Sequence, residues 1–193
     1  MNFPVLTSSL ELLQRVCAAV PDSALDDATP CTEWTVAQVI LHAAGDQHAW
    51  AATVGAAAPP AYNPFAPPSR PDDSFEKLIA AALDAASAGW ADVDAADEAV
   101  PTPLPPVPQL PAQLAAAACA MDAAVHSWDI AVATGQQSPL TDELAEHLLP
   151  AARATADPLR GFAYAAALSD QPGDGAADTL LRYLGRDPAW TRA

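Results

Sequence analysis

Apolar residues recur at intervals of three and four along most of the chain, the period of a helix rather than the alternation of a strand. The first such run covers about Ser9 to Ala19, with Leu10, Leu13, Val16, Cys17 and Val20 on one face and Pro21 ending it. The second covers about Val36 to Val54, introduced by Thr35 and Gln38 at capping-box spacing. Gly45 lies in the middle of that run, where glycine costs about 1 kcal/mol relative to alanine unless something packs closely against it. A third covers about Ser74 to Trp90, with Asp73 and Glu76 at capping spacing and a stripe of Phe75, Leu78, Ile79, Ala82, Leu83 and Ala86. The fourth is the longest. Pro111 suits its first turn, Gly135 suits the position past its end, and Leu114, Met121, Val125, Trp128 and Val132 lie along one side. A fifth starts near Thr141 and is expected to end or kink near Pro150. The last covers about Asp174 to Leu184 and stops at Gly185. No set of alternating strands is visible.

Two stretches interrupt the helical pattern, Pro59 to Pro71 and Pro101 to Pro111, each with six prolines. They read as long connections between the second, third and fourth helices. In a helical bundle, connections of that length imply crossovers rather than tight antiparallel hairpins. The 193 residues fit one domain, 1–193. About a quarter of them are alanine, the strongest helix former, which reinforces an all-α reading.

Charge narrows the partners. The 24 acidic residues outnumber the 8 basic ones to a net charge of −16. Nucleic-acid backbones and anionic membranes both attract Lys and Arg, so neither is expected to bind. No apolar run reaches the roughly 18 residues of a spanning helix. Met1 to Ser9 lacks the basic and apolar regions of a secretory signal. Cys17, Cys31 and Cys119 are odd in number and far apart, which fits free thiols in a reducing cytoplasm.

Four histidines are the candidate chemistry: His42, His48, His126 and His147. Asp122 lies four residues before His126, about 40° away on the helical wheel, and Asp129 returns to the same face. Two carboxylates and an imidazole therefore share a stripe on an alanine-rich helix. Burying a carboxylate is costly without compensation, and a divalent metal supplies it. Neutral imidazoles and carboxylates suit Zn, Ni, Fe or Mn, with positions left open for water or substrate. A bundle can bring His42 from one helix to Asp122 and His126 on another. The same spacing also fits a helix-surface ion pair worth a few tenths of a kcal/mol.

Three segments carry a family resemblance. They are Pro30-Cys31-Thr32-Glu33-Trp34-Thr35-Val36 followed by His42, the run Asp122 to Ala131 leading to Ala133-Thr134-Gly135, and Leu180 to Pro188. Together they resemble the DinB-like helical metal-binding proteins of actinobacteria related to the N-terminal domain of mycothiol-dependent maleylpyruvate isomerase. The resemblance implies a DinB-like four-helix bundle, here with long crossover loops and extra short C-terminal helices. It also implies a metal held by His42, Asp122 and His126. Many relatives carry Glu where this chain has Asp122, one methylene shorter.

On that resemblance the expected activity is a metal-dependent one. A low-molecular-weight thiol such as mycothiol, or water, would be activated for isomerisation, conjugation or transfer on a small electrophile. The alternative is a non-catalytic protein carrying a metal or a small apolar ligand. Trp34 and Trp128 fit core anchors, with a pocket wall as the other reading. Asp129 fits either a partner orienting His126 or a solvated residue. Cys119 fits either the pocket or the core. His48 falls off the face of His42, His147 in a short acidic helix reads as a surface residue, and Cys31 precedes a helix start, where a thiol pKa can fall. A homodimer is compatible with such a bundle, although no exposed apolar helix face stands out.

Overall fold

The computed structural model describes residues 2–192. Its helices are α1 (Pro4–Ala18), α2 (Val36–Thr53), α3 (Phe75–Ala91), α4 (Ala112–Ala133), α5 (Asp142–Thr155) and α6 (Ala176–Tyr183). A minimal pair of strands, β1 (Val100–Pro101) and β2 (Gln109–Leu110), lies between α3 and α4. α4 packs against α1, α2 and α5; α3 packs against α2 and α1; α6 packs against α5. The result is an all-α, DinB-like bundle centred on α4. Among the described residues no helix is long and apolar enough to cross a membrane.

The composition of α4 explains its place. Seventeen of its 22 residues are buried, and nearly every face is alanine or another apolar residue. A helix apolar all round must be covered all round. The expected single stripe is therefore replaced by burial on all sides, with Leu114 and Val132 only half-buried. Alanines such as Ala115, Ala120, Ala123 and Ala124 let the neighbouring helices approach closely.

Local chemistry sets the other boundaries. Both halves of the α2 capping box form: Gln38 N–H donates to Thr35 Oγ1 at 3.4 Å, and Thr35 N–H donates to Gln38 Oε1 at 3.2 Å. α1 starts at Pro4 rather than Ser9. Pro4 supplies the preset φ of a first turn, and Ser9 does not cap but turns its hydroxyl back to Val5 O at 2.9 Å. At α3 the cap is Ser74, which accepts from Lys77 N–H at 3.2 Å, while Asp73 pairs with the Lys77 ammonium.

α5 does not end at Pro150, one of the two outcomes expected there, and the structure adds one detail to a connection. α5 runs through Pro150 to Thr155. Pro150 sits on the exposed face, so solvent replaces the donor that the Glu146 carbonyl loses, while Leu148, Ala151 and Ala152 keep the inner face buried. The second proline-rich connection also contains strand pairing, Val100 with Leu110 and Pro101 with Gln109, in antiparallel register. Proline is tolerated there because each strand is an edge.

Candidate metal centre

The site lies where α2 faces α4. His42 stands in the middle of α2, and its Nδ1 is 2.9 Å from Pro64 O. A carbonyl only accepts, so Nδ1 carries the proton and Nε2 presents a lone pair. Pro64 reaches His42 because Gly45 leaves room: a Cβ there would lie 2.9 Å from Pro64 Cγ and 3.2 Å from Tyr62 Cε2. Tyr62 ties the same loop down by donating to Leu41 O at 2.6 Å. The first proline-rich connection thus folds back on α2 and sets the orientation of a histidine. Gly45→Ala is expected to destabilise the protein by about 1–3 kcal/mol through overpacking. A metal held at this cluster would also bind about tenfold more weakly, because Pro64 is pushed away from His42. Urea unfolding and chelator competition measure the two effects.

His126 is oriented in the same way by a different partner. Its Nδ1 lies 2.9 Å from Asp129 Oδ2, one turn further along α4. Asp129 is fully buried. Burial alone would raise its pKa, but the Arg186 guanidinium and the bonds from His126 and Arg186 hold it well below the usual carboxylate range. The ionised carboxylate accepts, so His126 also keeps its proton on Nδ1 and a lone pair on Nε2. Burial shifts both imidazoles toward the neutral form.

The two bare Nε2 atoms face the same oxygen. Asp122 Oδ1 lies 3.5 Å from His126 Nε2 and 3.9 Å from His42 Nε2. One ligand atom from each of the three residues falls within 4.8 Å of the others. Donors about 2.1 Å from a tetrahedral ion stand about 3.4 Å apart, so the spacing fits one. The other oxygen, Asp122 Oδ2, accepts from Gln47 Nε2 at 3.1 Å. Gln47 is fully buried, and its Oε1 accepts from the Cys119 thiol at 3.1 Å. Three lone-pair donors pointed at one another are mutually repulsive, and a cation or proton between them removes the repulsion. Burial pushes the Asp122 carboxyl up to about 6, with the charge of Asp46 adding to it, and burial pushes Asp46 up to about 7.

Asp46 was not singled out from the sequence. It follows His42 by one turn, and its Oδ2 is 3.8 Å from His42 Nε2. The signal was available, since Asp46 stands at the same four-residue spacing from His42 as Asp122 does from His126. Arg186 had no comparable signal, because the chain brings it from far away to bond Asp129 at 2.8 and 2.9 Å. Asp129 is the partner that orients His126, not a solvated residue. Cys119 serves the core behind Asp122 and does not line the cavity. Trp34 packs its ring 4.5 Å from that of His42 and walls the cavity, whereas Trp128 is a buried core anchor. Cys31 donates its thiol to Asp129 Oδ2 at 3.3 Å, and burial, aided by the Asp129 charge, pushes its pKa up rather than down. His48 is half-buried outside the cluster and His147 is exposed.

A cavity of about 460 Å³ opens over His42, Asp46, Asp122 and His126. Its walls include Trp34, Phe65, Phe162, Tyr164 and Arg186. The size suits a small molecule.

An all-α bundle with two inward imidazoles and carboxylates on facing helices defines a class: helical bundles that enclose a cluster of histidine and carboxylate side chains between α2 and α4. Within that class the chain belongs to the family of the mycothiol maleylpyruvate isomerase N-terminal domain, whose model matches residues 6–131. Two uncharacterized proteins, from two strains of Mycobacterium tuberculosis, are each 35% identical over 138 residues, covering 69% of this chain and 68% of theirs. The crystal structure of a mutant of mycothiol-dependent maleylpyruvate isomerase shares the fold. It matches with a TM-score of 0.55 at 15% identity, over 79% of this chain and 67% of that one. His42, Asp46, Asp122 and His126 all lie inside the family segment. Phe162, Tyr164 and Arg186 lie beyond it.

Proposed function

We propose that residues 1–193 act as one domain that binds a divalent metal through His42, Asp122 and His126. The bound ion would activate a low-molecular-weight thiol of the mycothiol type, or water, for attack on a small electrophile. The observation that carries this reading is the pair of bare Nε2 atoms aimed at Asp122 Oδ1. Each imidazole has its other nitrogen occupied by a dedicated partner, as metal-ligating histidines do. The donor set of two imidazoles and a carboxylate suits Zn, Ni, Fe or Mn and leaves positions open. The thiol is inferred from the family, one member of which is a mycothiol-dependent isomerase.

When bound, a divalent ion lowers the pKa of a coordinated thiol or water and holds it as the nucleophilic anion. The chain supplies the rest. Pro64 and Asp129 lock the histidine tautomers, and Gln47 holds Asp122 so that one oxygen stays free. Asp46 places a second carboxylate beside the cluster, where it can accept a hydrogen bond from the group bound there. Trp34 and Phe65 pack beside His42 and shield it from bulk water. The three cysteines are free, in keeping with a reducing cytoplasmic setting.

Metal analysis of the purified protein beside His42→Ala and Asp122→Ala tests the site. About one divalent ion per chain is expected in the parent and a large loss in both variants. Unchanged metal content in both variants would overturn the triad. Incubating the loaded protein with mycothiol and a panel of electrophiles then tests catalysis, and no turnover with any thiol or water acceptor would leave a metal carrier.

A further inference from the structure

The wall of the cavity opposite α2 is built from the segment after α5, and its construction is specific. Arg160 fixes this segment: its Nε donates to Asp157 at 2.8 Å, its Nη1 to Ala165 O at 2.8 Å and its Nη2 to Tyr183 O at 3.0 Å. The guanidinium also lies 4.9 Å from the Tyr183 ring centroid. Gly161 N–H donates to Tyr164 O at 2.8 Å, and Tyr164 N–H donates to Leu159 O at 3.3 Å. Gly185, at φ +81°, lets the chain pass Ala165 so closely that a Cβ would lie 2.8 Å from the Ala165 Cβ. The backbone of Tyr164 is therefore clamped from several sides.

Its side chain is not. Tyr164 lines the cavity, and its phenol lies within electrostatic reach of Asp122, Asp46 and Arg186. Yet its hydroxyl makes no hydrogen bond to any described residue. Tyr164 is half-buried, and its hydroxyl opens onto the cavity rather than being sealed in the interior, while the polar side chains of Arg186 and Asp122 beside it are turned to other partners. Arg186 is bonded to Asp129, Asp122 Oδ2 to Gln47, and Asp122 Oδ1 faces the histidines. A phenol carried on a clamped backbone, with its O–H open to the cavity beside a candidate metal centre, is placed to meet a ligand.

We propose that Tyr164 is a ligand-binding residue whose hydroxyl donates a hydrogen bond to an anionic group bound at the open side of the His42–Asp122–His126 cluster. The group is a thiolate sulfur or a carboxylate oxygen, both of which accept from a phenol. The inference rests on the metal-binding reading above. Tyr164→Phe removes the donor and keeps the ring, so the wall is preserved.

The test loads parent and variant with Co(II) and follows the visible absorption of the ion during titration with 2-mercaptoethanol and, separately, with acetate. The variant is expected to take up Co(II) with parental affinity and to keep the parental melting temperature. Its affinity for at least one probe should fall about tenfold, the order of one hydrogen bond to a charged acceptor. The probe affected identifies the group as thiolate or carboxylate. Equal affinity of parent and variant for both probes, with Co(II) bound normally, would overturn the role of Tyr164 alone. Failure of the parent to take up Co(II) would overturn the metal reading and this inference with it.

Discussion

Replacing Asp129 with alanine is expected to lower the unfolding free energy by about 3–5 kcal/mol and, on the metal-binding reading proposed above, to weaken that binding about 10- to 100-fold. Three groups depend on this carboxylate. Arg186 donates to it through Nε at 2.9 Å and Nη2 at 2.8 Å. His126 meets it through Nδ1 at 2.9 Å, and the Cys31 thiol at 3.3 Å. The Asp129 side chain is fully enclosed and that of Arg186 is 11% exposed. An intact buried pair is weak support for stability, because desolvation offsets its attraction; breaking one leaves an uncompensated charge and is costly. Asp129→Ala is of the second kind. Asp129→Asn keeps an acceptor and the shape but not the charge, so a smaller loss is expected. The double variant Asp129→Leu with Arg186→Met should recover much of the stability, since no lone charge remains. It should not recover metal affinity, because nothing then holds His126 Nδ1. Urea unfolding in chelator gives the first quantity and chelator competition the second. An unfolding midpoint for Asp129→Ala equal to the parental one would sink the prediction, as would equal recovery of both properties in the double variant.

The features legible in the sequence are those whose causes lie within one or two turns. The Thr35–Gln38 box, the placing of α4 between Pro111 and Gly135, and the shared face of Asp122 and His126 are all local, and they stand in the structure. His42 is different: no spacing links two helices, and its place beside Asp122 became an expectation only through the general architecture of bundles and the family resemblance. Asp46 was legible by the rule already applied to Asp122, but one histidine and one carboxylate in α2 gave no stripe. Arg186, Tyr164 and Pro64 reach the site through irregular chain, whose path follows from tertiary contacts rather than periodicity. Gly45 carried half of the message about Pro64, that something packs closely there, without naming it. Pro150 does not end α5, because on the exposed face it leaves the buried face of the helix intact, and which face it occupies is a property of the fold.

Trp90→Ala is expected to cost about 3 kcal/mol of stability, from a core in which few side chains are large. Trp90 is 1% exposed at the end of α3. Its ring meets Phe3 edge-on at 5.3 Å and Trp50 at 6.0 Å, so it joins the start of α1 and the end of α2 to α3. Truncating a buried tryptophan typically costs about 3–5 kcal/mol, the spread reflecting how far the site can collapse. Two features of this chain act in opposite directions. Neighbours such as Ala51, Ala86 and Gly89 are too small to swing into the space, which favours the upper end. The indole N–H, however, has no oxygen or nitrogen acceptor among the described residues, and it meets only the Cys119 sulfur, a weak acceptor. Deleting it removes a buried donor satisfied only weakly, at a cost of about 1 kcal/mol, which brings the expectation toward the lower end. Trp90→Phe separates the two terms. It keeps most of the ring contact with Phe3 and Trp50 and removes the weakly satisfied donor, so a loss of about 1 kcal/mol or less is expected. In a chain of 193 residues each kcal/mol moves the melting temperature by about 2–4 °C, so the alanine variant should melt about 6–12 °C below the parent. Thermal unfolding belongs in chelator for both variants, because an ion bound only to the folded state would add its own stabilisation. A Phe variant as destabilised as the Ala variant would show that the N–H contact with the Cys119 sulfur is stabilising and that the ring's outer edge carries the packing.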